Sequence, residues 1–155
     1  MAPASFKNEA SSQSFQELNA QAEKRADACE SARMPSLDHL KMKDYNEVYE
    51  PSDDTFLLID GLQLALNESE ISRDSVHTSL ELGCGTGVPT VFLAKQLMLL
   101  DDGDASCVHL VTDVNPRALK VAQATATSNG ISSLEAVECD LATALLPRWK
   151  HAEDV

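Results

Sequence analysis

The chain is short of positive charge. Twelve Lys and Arg stand against 25 Asp and Glu, a formal charge of −13. Residues 1–33 hold five acids and four bases, so residues 34–155 carry 20 acids and 8 bases. Such a surface repels phosphate backbones and no basic stripe offsets it, so direct binding of nucleic acid is not expected. A partner with a basic surface suits the charge better, although acidic excess also serves solubility alone. Long apolar runs are missing as well. Apolar residues make up 43% of the chain, yet no uninterrupted stretch nears the roughly 20 residues of a membrane span. The N-terminus lacks the basic-then-apolar order of a secretory signal, and its mixture of acids and bases is unlike a transit peptide. These features lead us to expect a soluble intracellular protein, cytoplasmic and also nuclear, with no membrane contact. Cysteine is sparse and scattered: Cys29, Cys84, Cys107 and Cys139 form no C-x-x-C pair. Reduced thiols are expected, and no zinc site.

A length of 155 residues suits one domain with a real core. Residues 1–33 contain eight Ala and five Ser with few large apolar side chains. They bury too little to offset ordering entropy and read as a flexible extension, with a weak helix at most around Phe15 to Ala28. Order is expected to begin near VYEPSDDTFLLIDGLQLAL. There Pro51 and Ser52 precede acidic residues that suit a helix N-terminus. Leu58, Leu62 and Leu66 recur every four residues and predict the helix's apolar seam. Asn67 to Val76 is polar and reads as a linker.

Strand and helix signals then alternate. Thr78 to Leu82 predicts a strand and Pro89 to Leu100 a helix. Val108 to Thr112 predicts a second strand. Asn115 and Pro116 mark a helix start and Asn129-Gly130 its end. Leu134 to Glu138 predicts a third strand, and Leu141 to Leu146 a helix or turn stopped near Pro147. With right-handed crossovers this order predicts an α/β fold with parallel strands in the order 3-2-1, the N-terminal half of a doubly wound, Rossmann-like sheet.

In such sheets the ligand sits beyond the carboxyl ends of the strands. The turn LELGCGTGV places Gly83, Gly85 and Gly87 there. Bare glycine backbone accepts unusual dihedral angles and lets a ligand approach closely, and the following helix N–H groups favour an anionic group. A dinucleotide fingerprint, G-x-G-x-x-G, wants its third glycine where Val88 stands. The observed E-x-G-x-G-x-G instead resembles motif I of class I S-adenosylmethionine-dependent methyltransferases. Asp113, at the end of the second strand, can accept from both hydroxyls of a ribose. That geometry serves either ligand, and helix capping competes as its role, although Asn115 is the better cap. Asp140 follows the third strand and can accept from an adenine amine, with the backbone of Leu141 beside it; a plain strand-ending turn is the competing reading.

VYEPSDDTFLLID, LELGCGTGV, TDVNPRAL and ECDLATALLP, in this order, resemble the release-factor glutamine methyltransferases, and more closely their eukaryotic and archaeal HemK-like branch. The likeness covers about residues 35–155, and residues 34–155 are expected to form part of a methyltransferase domain, its cofactor-binding half. It implies methyl transfer from S-adenosylmethionine to a glutamine side-chain nitrogen, with the Gly-Gly-Gln loop of the class I translation release factor as acceptor. Other protein substrates, histone lysine included, are described for members. By the same likeness Thr55, Glu81, Gly83, Asp113, Asp140 and Leu141 are cofactor contacts. A small zinc-binding activator subunit would pair with the free edge of the third strand, Leu134 to Glu138.

The family's catalytic Asn-Pro-Pro-Tyr does not occur in these residues. In that signature the asparagine and nearby carbonyls accept the amide protons and align the nitrogen for attack. Asn115-Pro116 continues with Arg117 and reads only as a cap. Asp154-Val155 resembles the opening of a fourth strand. The expectation for the chain as written is therefore an incomplete sheet that binds cofactor without transferring methyl. A non-enzymatic short form that binds S-adenosylmethionine or the activator is the alternative, and a nicotinamide-dependent fragment a weaker third.

Overall fold

The computed structural model describes residues 34–68, 76–99 and 107–146, which all fall within one compact unit, Ala32–Val155. The expected extension over 1–33, its weak helix, most of the 67–76 linker and Asp154-Val155 lie outside the described residues.

Helix α1 runs Asp53–Asn67, opened by Ser52 in extended backbone. The Ser52 N–H donates to Thr55 Oγ1 at 3.4 Å, half of a capping box, and Asp53 and Asp54 occupy the first turn. Both features favour initiation at this point. The apolar seam is shifted from the expected one. Ile59 and Leu66 are the buried residues of the helix and Leu62 packs beside Ile59, whereas Leu58 is 48% exposed. Spacings of three and four keep 59, 62 and 66 on one face; a strict spacing of four drifts off it.

Strand β1 (Thr78–Leu82) leads into helix α2 (Val88–Leu99), strand β2 (Val108–Asp113), helix α3 (Pro116–Ser128) and strand β3 (Leu134–Glu138). The strands are parallel in the order β1-β2-β3, with Glu81 opposite Val111 and Asp113 opposite Glu138. This is the expected Rossmann-like half-sheet. Helix α2 begins one residue earlier than predicted. Val88, Val91, Phe92, Ala94 and Leu97 are all buried, so the helix is apolar around most of its girth, as an inner helix must be. Residues Val91, Ala94, Leu119, Ala122, Ala126, Val111 and Leu134 form one core cluster, which puts α2 and α3 on the same side of the sheet. Two parallel connections moving the same way across a sheet require that arrangement.

The ends of α3 follow the sequence signals. Asn115 Oδ1 accepts the Arg117 N–H at 2.9 Å with Pro116 at the first helical position. Gly130 adopts φ +78° just past the end, and the Ile131 N–H returns to the Ala126 carbonyl at 2.9 Å. Residues 141–146 form turns with Thr143 N–H on the Asp140 carbonyl at 3.0 Å.

Residues 34–50 hold one regular element, a 3-10 turn at Asp44–Asn46, and run as a strap along α3. The Asn129 side chain exchanges two hydrogen bonds with the Ser36 backbone, at 2.8 and 2.9 Å. His39 Nε2 lies 3.2 Å from Thr125 Oγ1. Leu40 and Val48 pack on Ala118 and Val121, and Asp44 pairs with Arg117. The strap thus passes from the C-terminal to the N-terminal end of α3 before entering α1.

Candidate functional site

At the carboxyl end of β1 the chain turns over β2. The N–H groups of Gly83 and Cys84 both donate to the Thr112 carbonyl, at 2.8 and 3.0 Å, and the Gly87 N–H closes on the Cys84 carbonyl at 2.7 Å. Gly83, Gly85 and Gly87 have φ of +73°, +51° and +76°, in the left-handed region that penalises any side chain. Their surroundings differ. A Cβ built on Gly83 or Gly85 meets no heavy atom within 4 Å, whereas one on Gly87 falls 2.8 Å from Ala122 Cβ. The first two leave room for a ligand; the third lets α2 approach α3.

A cavity of about 620 Å³ opens at this turn, within the range of roughly 300–1,000 Å³ common to small-molecule sites. Ser79 to Gly85 line one wall, Thr86, Pro89, Thr90 and Leu93 another, and Asp113, Asn115 and Ala118 a third. Val48, Tyr49, Pro51, Asp54, Thr55, Leu58 and Leu62 close it from the strap and α1. Five of the residues expected at a cofactor, Thr55, Glu81, Gly83, Gly85 and Asp113, therefore share one space. Gly87, Asp140 and Leu141 do not line it. Asp140 and Leu141 are exposed just beyond β3, and Leu141 has φ +50°, uncommon for a residue with a side chain.

Asp113 holds the site together. Its Oδ2 accepts the Gly85 N–H at 3.2 Å and its Oδ1 accepts the Asn115 N–H at 2.9 Å. An ionised carboxylate offers about four acceptor positions, so each oxygen keeps one beyond these two bonds, on a residue that lines the cavity. That is the capacity two vicinal hydroxyls require.

Glu81 sits deeper. Its Oε2 accepts from both the backbone N–H of Thr90, at 3.2 Å, and the Thr90 hydroxyl. Burial raises its pKa to about 7; the Thr90 hydrogen bonds oppose that shift and the Asp113 charge adds to it. The carboxyl is poised between its two states at neutral pH, and a bound cation would draw it to the ionised one. The Cys84 thiol, also on the cavity wall, is pushed up to about 12 by burial and by Asp113 and Glu81. It stays protonated and is no nucleophile.

Two features escaped the sequence reading. Thr90 anchors Glu81 from nine positions downstream, and its signal was faint: a hydroxyl in the first turn after a glycine loop. The strap brings Val48 and Tyr49 to the cavity through Asp44–Arg117, a pair 73 positions apart. No local pattern announces such a contact. Among the described residues no cluster of His, Cys, Asp or Glu can hold a metal ion, and no helix is long and apolar enough to cross a membrane.

No protein-family model matches the chain. Individual proteins do. It is 34% identical over 128 residues to methyltransferase HEMK2 of Mus musculus, covering 83% of this chain and 55% of the relative. It is 29% identical over 96 residues to the Schizosaccharomyces pombe eRF1 methyltransferase catalytic subunit mtq2, covering 61% and 40%. A Methanocaldococcus jannaschii candidate protein N5-glutamine methyltransferase is 31% identical over 96 residues, covering 62% and 40%. The chain thus spans about half the length of the curated relatives it matches. With motif order, parallel topology and this likeness in agreement, the chain belongs to the HemK-like methyltransferase family.

Proposed function

We propose that the cavity holds S-adenosylmethionine and that the family activity it serves is methylation of a glutamine side-chain nitrogen in a class I translation release factor. The observation that carries the reading is the Gly85 N–H to Asp113 Oδ2 contact at 3.2 Å. It sets bare backbone and a carboxylate with two free acceptor positions side by side on one cavity, as a ribose joined to an amino-acid tail requires. When bound, the cofactor supplies an electrophilic methyl group on a cationic sulfur. The chain's own residues bind and orient. Asp113 takes the sugar hydroxyls, Gly83 and Gly85 admit the tail, and Glu81, pinned by Thr90, answers positive charge. Thr55, whose Oγ1 accepts the Ser52 N–H, lines the cavity from α1, and Asp140 and Leu141 remain proposed contacts for the adenine.

The acceptor rests on the relatives' names: one is the catalytic subunit of an eRF1 methyltransferase and another a candidate protein N5-glutamine methyltransferase. The word "subunit" also supports a partner, which we take to be a small zinc-binding activator seated on the outer edge of β3. Since Asn-Pro-Pro-Tyr is not among these residues, the 155-residue chain is expected to bind cofactor without transferring methyl.

Calorimetry of the full 155-residue chain with S-adenosylmethionine and with NAD tests the core of this reading. Saturable binding of S-adenosylmethionine is expected. The Asp113→Asn variant should weaken it about 10- to 100-fold, since bonds to a charged acceptor contribute roughly 1.5–3 kcal/mol. Preference for NAD, or indifference to Asp113→Asn, would overturn the assignment. Co-purification with the zinc-binding subunit tests the partner separately.

A further inference from the structure

Asn115 does more than cap a helix. Its Oδ1 accepts the Arg117 N–H at 2.9 Å, its backbone N–H donates to Asp113 Oδ1 at 2.9 Å, and its Nδ2 donates to the Glu47 carbonyl at 2.7 Å. These partners fix the amide's orientation, because the N–H must meet the oxygen and the carbonyl must meet the NH₂. One residue therefore joins the carboxylate that faces the cavity, the first turn of α3 and the strap. On the strap's side the tie is reinforced. Arg117 pairs with Asp44, and its Nε lies 3.8 Å from a Glu47 carboxylate oxygen, an ionic contact too long to be a hydrogen bond. Asp44 Oδ2 accepts the Lys41 N–H at 2.9 Å, so the turn before Glu47 is braced from within. Directly after Glu47 come Val48, buried against Ala118 and Val121, and Tyr49, 64% exposed; both line the cavity.

We propose that Asn115 is a positioning residue that couples engagement of the Asp113 carboxylate to closure of the strap, so that ligand binding and placement of Val48 and Tyr49 over the cavity reinforce each other. The inference rests on the reading of the cavity as a nucleoside site. Its physical basis is shared restraint. A ligand held on Asp113 limits the motion of the 113–115 turn, and that turn supplies the hydrogen bond that holds Glu47. By reciprocity, a strap already held lowers the ordering that the ligand must impose.

The test uses the full chain and two variants. Asn115→Ser keeps a capping hydroxyl for α3 and removes the donor to Glu47. Arg117→Gln leaves the cap, which uses only its backbone, and removes the cation from Asp44. Hydrogen exchange is measured without ligand and with S-adenosylmethionine. In the absence of ligand, both variants should speed exchange at the Val48 N–H, bonded to Asp44 in the wild type, while the α3 amides stay protected. In wild type the ligand should slow exchange over 47–50; in Asn115→Ser that protection should shrink and affinity should fall about two- to tenfold, the scale of one hydrogen bond. Unchanged exchange in the ligand-free variants would show that the strap is held otherwise and overturn the proposal. Wild-type affinity in Asn115→Ser, with the ligand still protecting 47–50, would overturn the coupling and leave the cavity's assignment standing. Failure of wild type to bind S-adenosylmethionine overturns both.

Discussion

Glu81 shows how a residue on a cavity wall can work against the fold that carries it. Its folded pKa of about 7 lies above the ordinary 4.5. As pH rises from 4.5 toward 7 the unfolded chain releases this proton while the folded chain retains it, so stability falls across that window. Glu81→Gln keeps an acceptor for Thr90 and abolishes the effect. Unfolding free energies from urea titration should lie close together for wild type and variant at pH 5, and favour the variant at pH 8 by on the order of 2–3 kcal/mol. Affinity for S-adenosylmethionine should move the opposite way, weaker in the variant and, in wild type, stronger at pH 8 than at pH 6. Parallel pH curves for the two proteins would refute the account. Gly87 gives a second residue-scale test. With φ +76° and a built Cβ 2.8 Å from Ala122 Cβ, Gly87→Ala should cost at least about 1–3 kcal/mol in denaturant unfolding. A neutral result would mean that α2 and α3 separate more easily than their packing indicates.

At the scale of elements, the caps were legible and the faces less so. Asn115-Pro116 and Asn129-Gly130 bracket α3 because capping is chemistry within four residues of a helix end. The seam of α1 was misplaced by one position at its start. Leucines at 58, 62 and 66 satisfy a period of four, but the ridge that meets α2 is chosen by Phe92 and Val88, which pack on Ile59. The strap was invisible for the same reason, since its partners lie on a distant helix. Asn129 anchors its far end with hydrogen bonds to Ser36 and to the Thr125 carbonyl at 2.9 Å. Asn129→Ala is therefore expected to lower stability by roughly 1–2 kcal/mol and to speed exchange at Ser36. Asp44 adds a pH dependence at the near end. Its pKa is lowered by the Lys41 N–H and by Arg117, so its contribution is present above the ordinary carboxylate range and is lost as pH falls through the lowered folded value.

For the whole molecule, the cavity joins pieces from all over the described chain: the strap, α1, the β1–α2 turn and the end of β2. A ligand there ties them together, so its binding free energy adds to folding. S-adenosylmethionine at about a hundred times its dissociation constant should raise the unfolding free energy by about 2.7 kcal/mol and lift the melting temperature. A melt unmoved by saturating ligand would contradict the site. By themselves, the residues in sequence determined the order of strands and helices, the helix ends and the glycine turn. Each of these is set by backbone conformation and by neighbours a few positions away. Only the tertiary structure decided that Thr90 would bury and pin Glu81, that Gly87 would serve helix packing rather than face the cavity, and that residues 34–50 would close the site through Asn115 and Arg117. Those outcomes depend on which distant side chains share a volume, and desolvation and steric fit come into being only when the chain has packed.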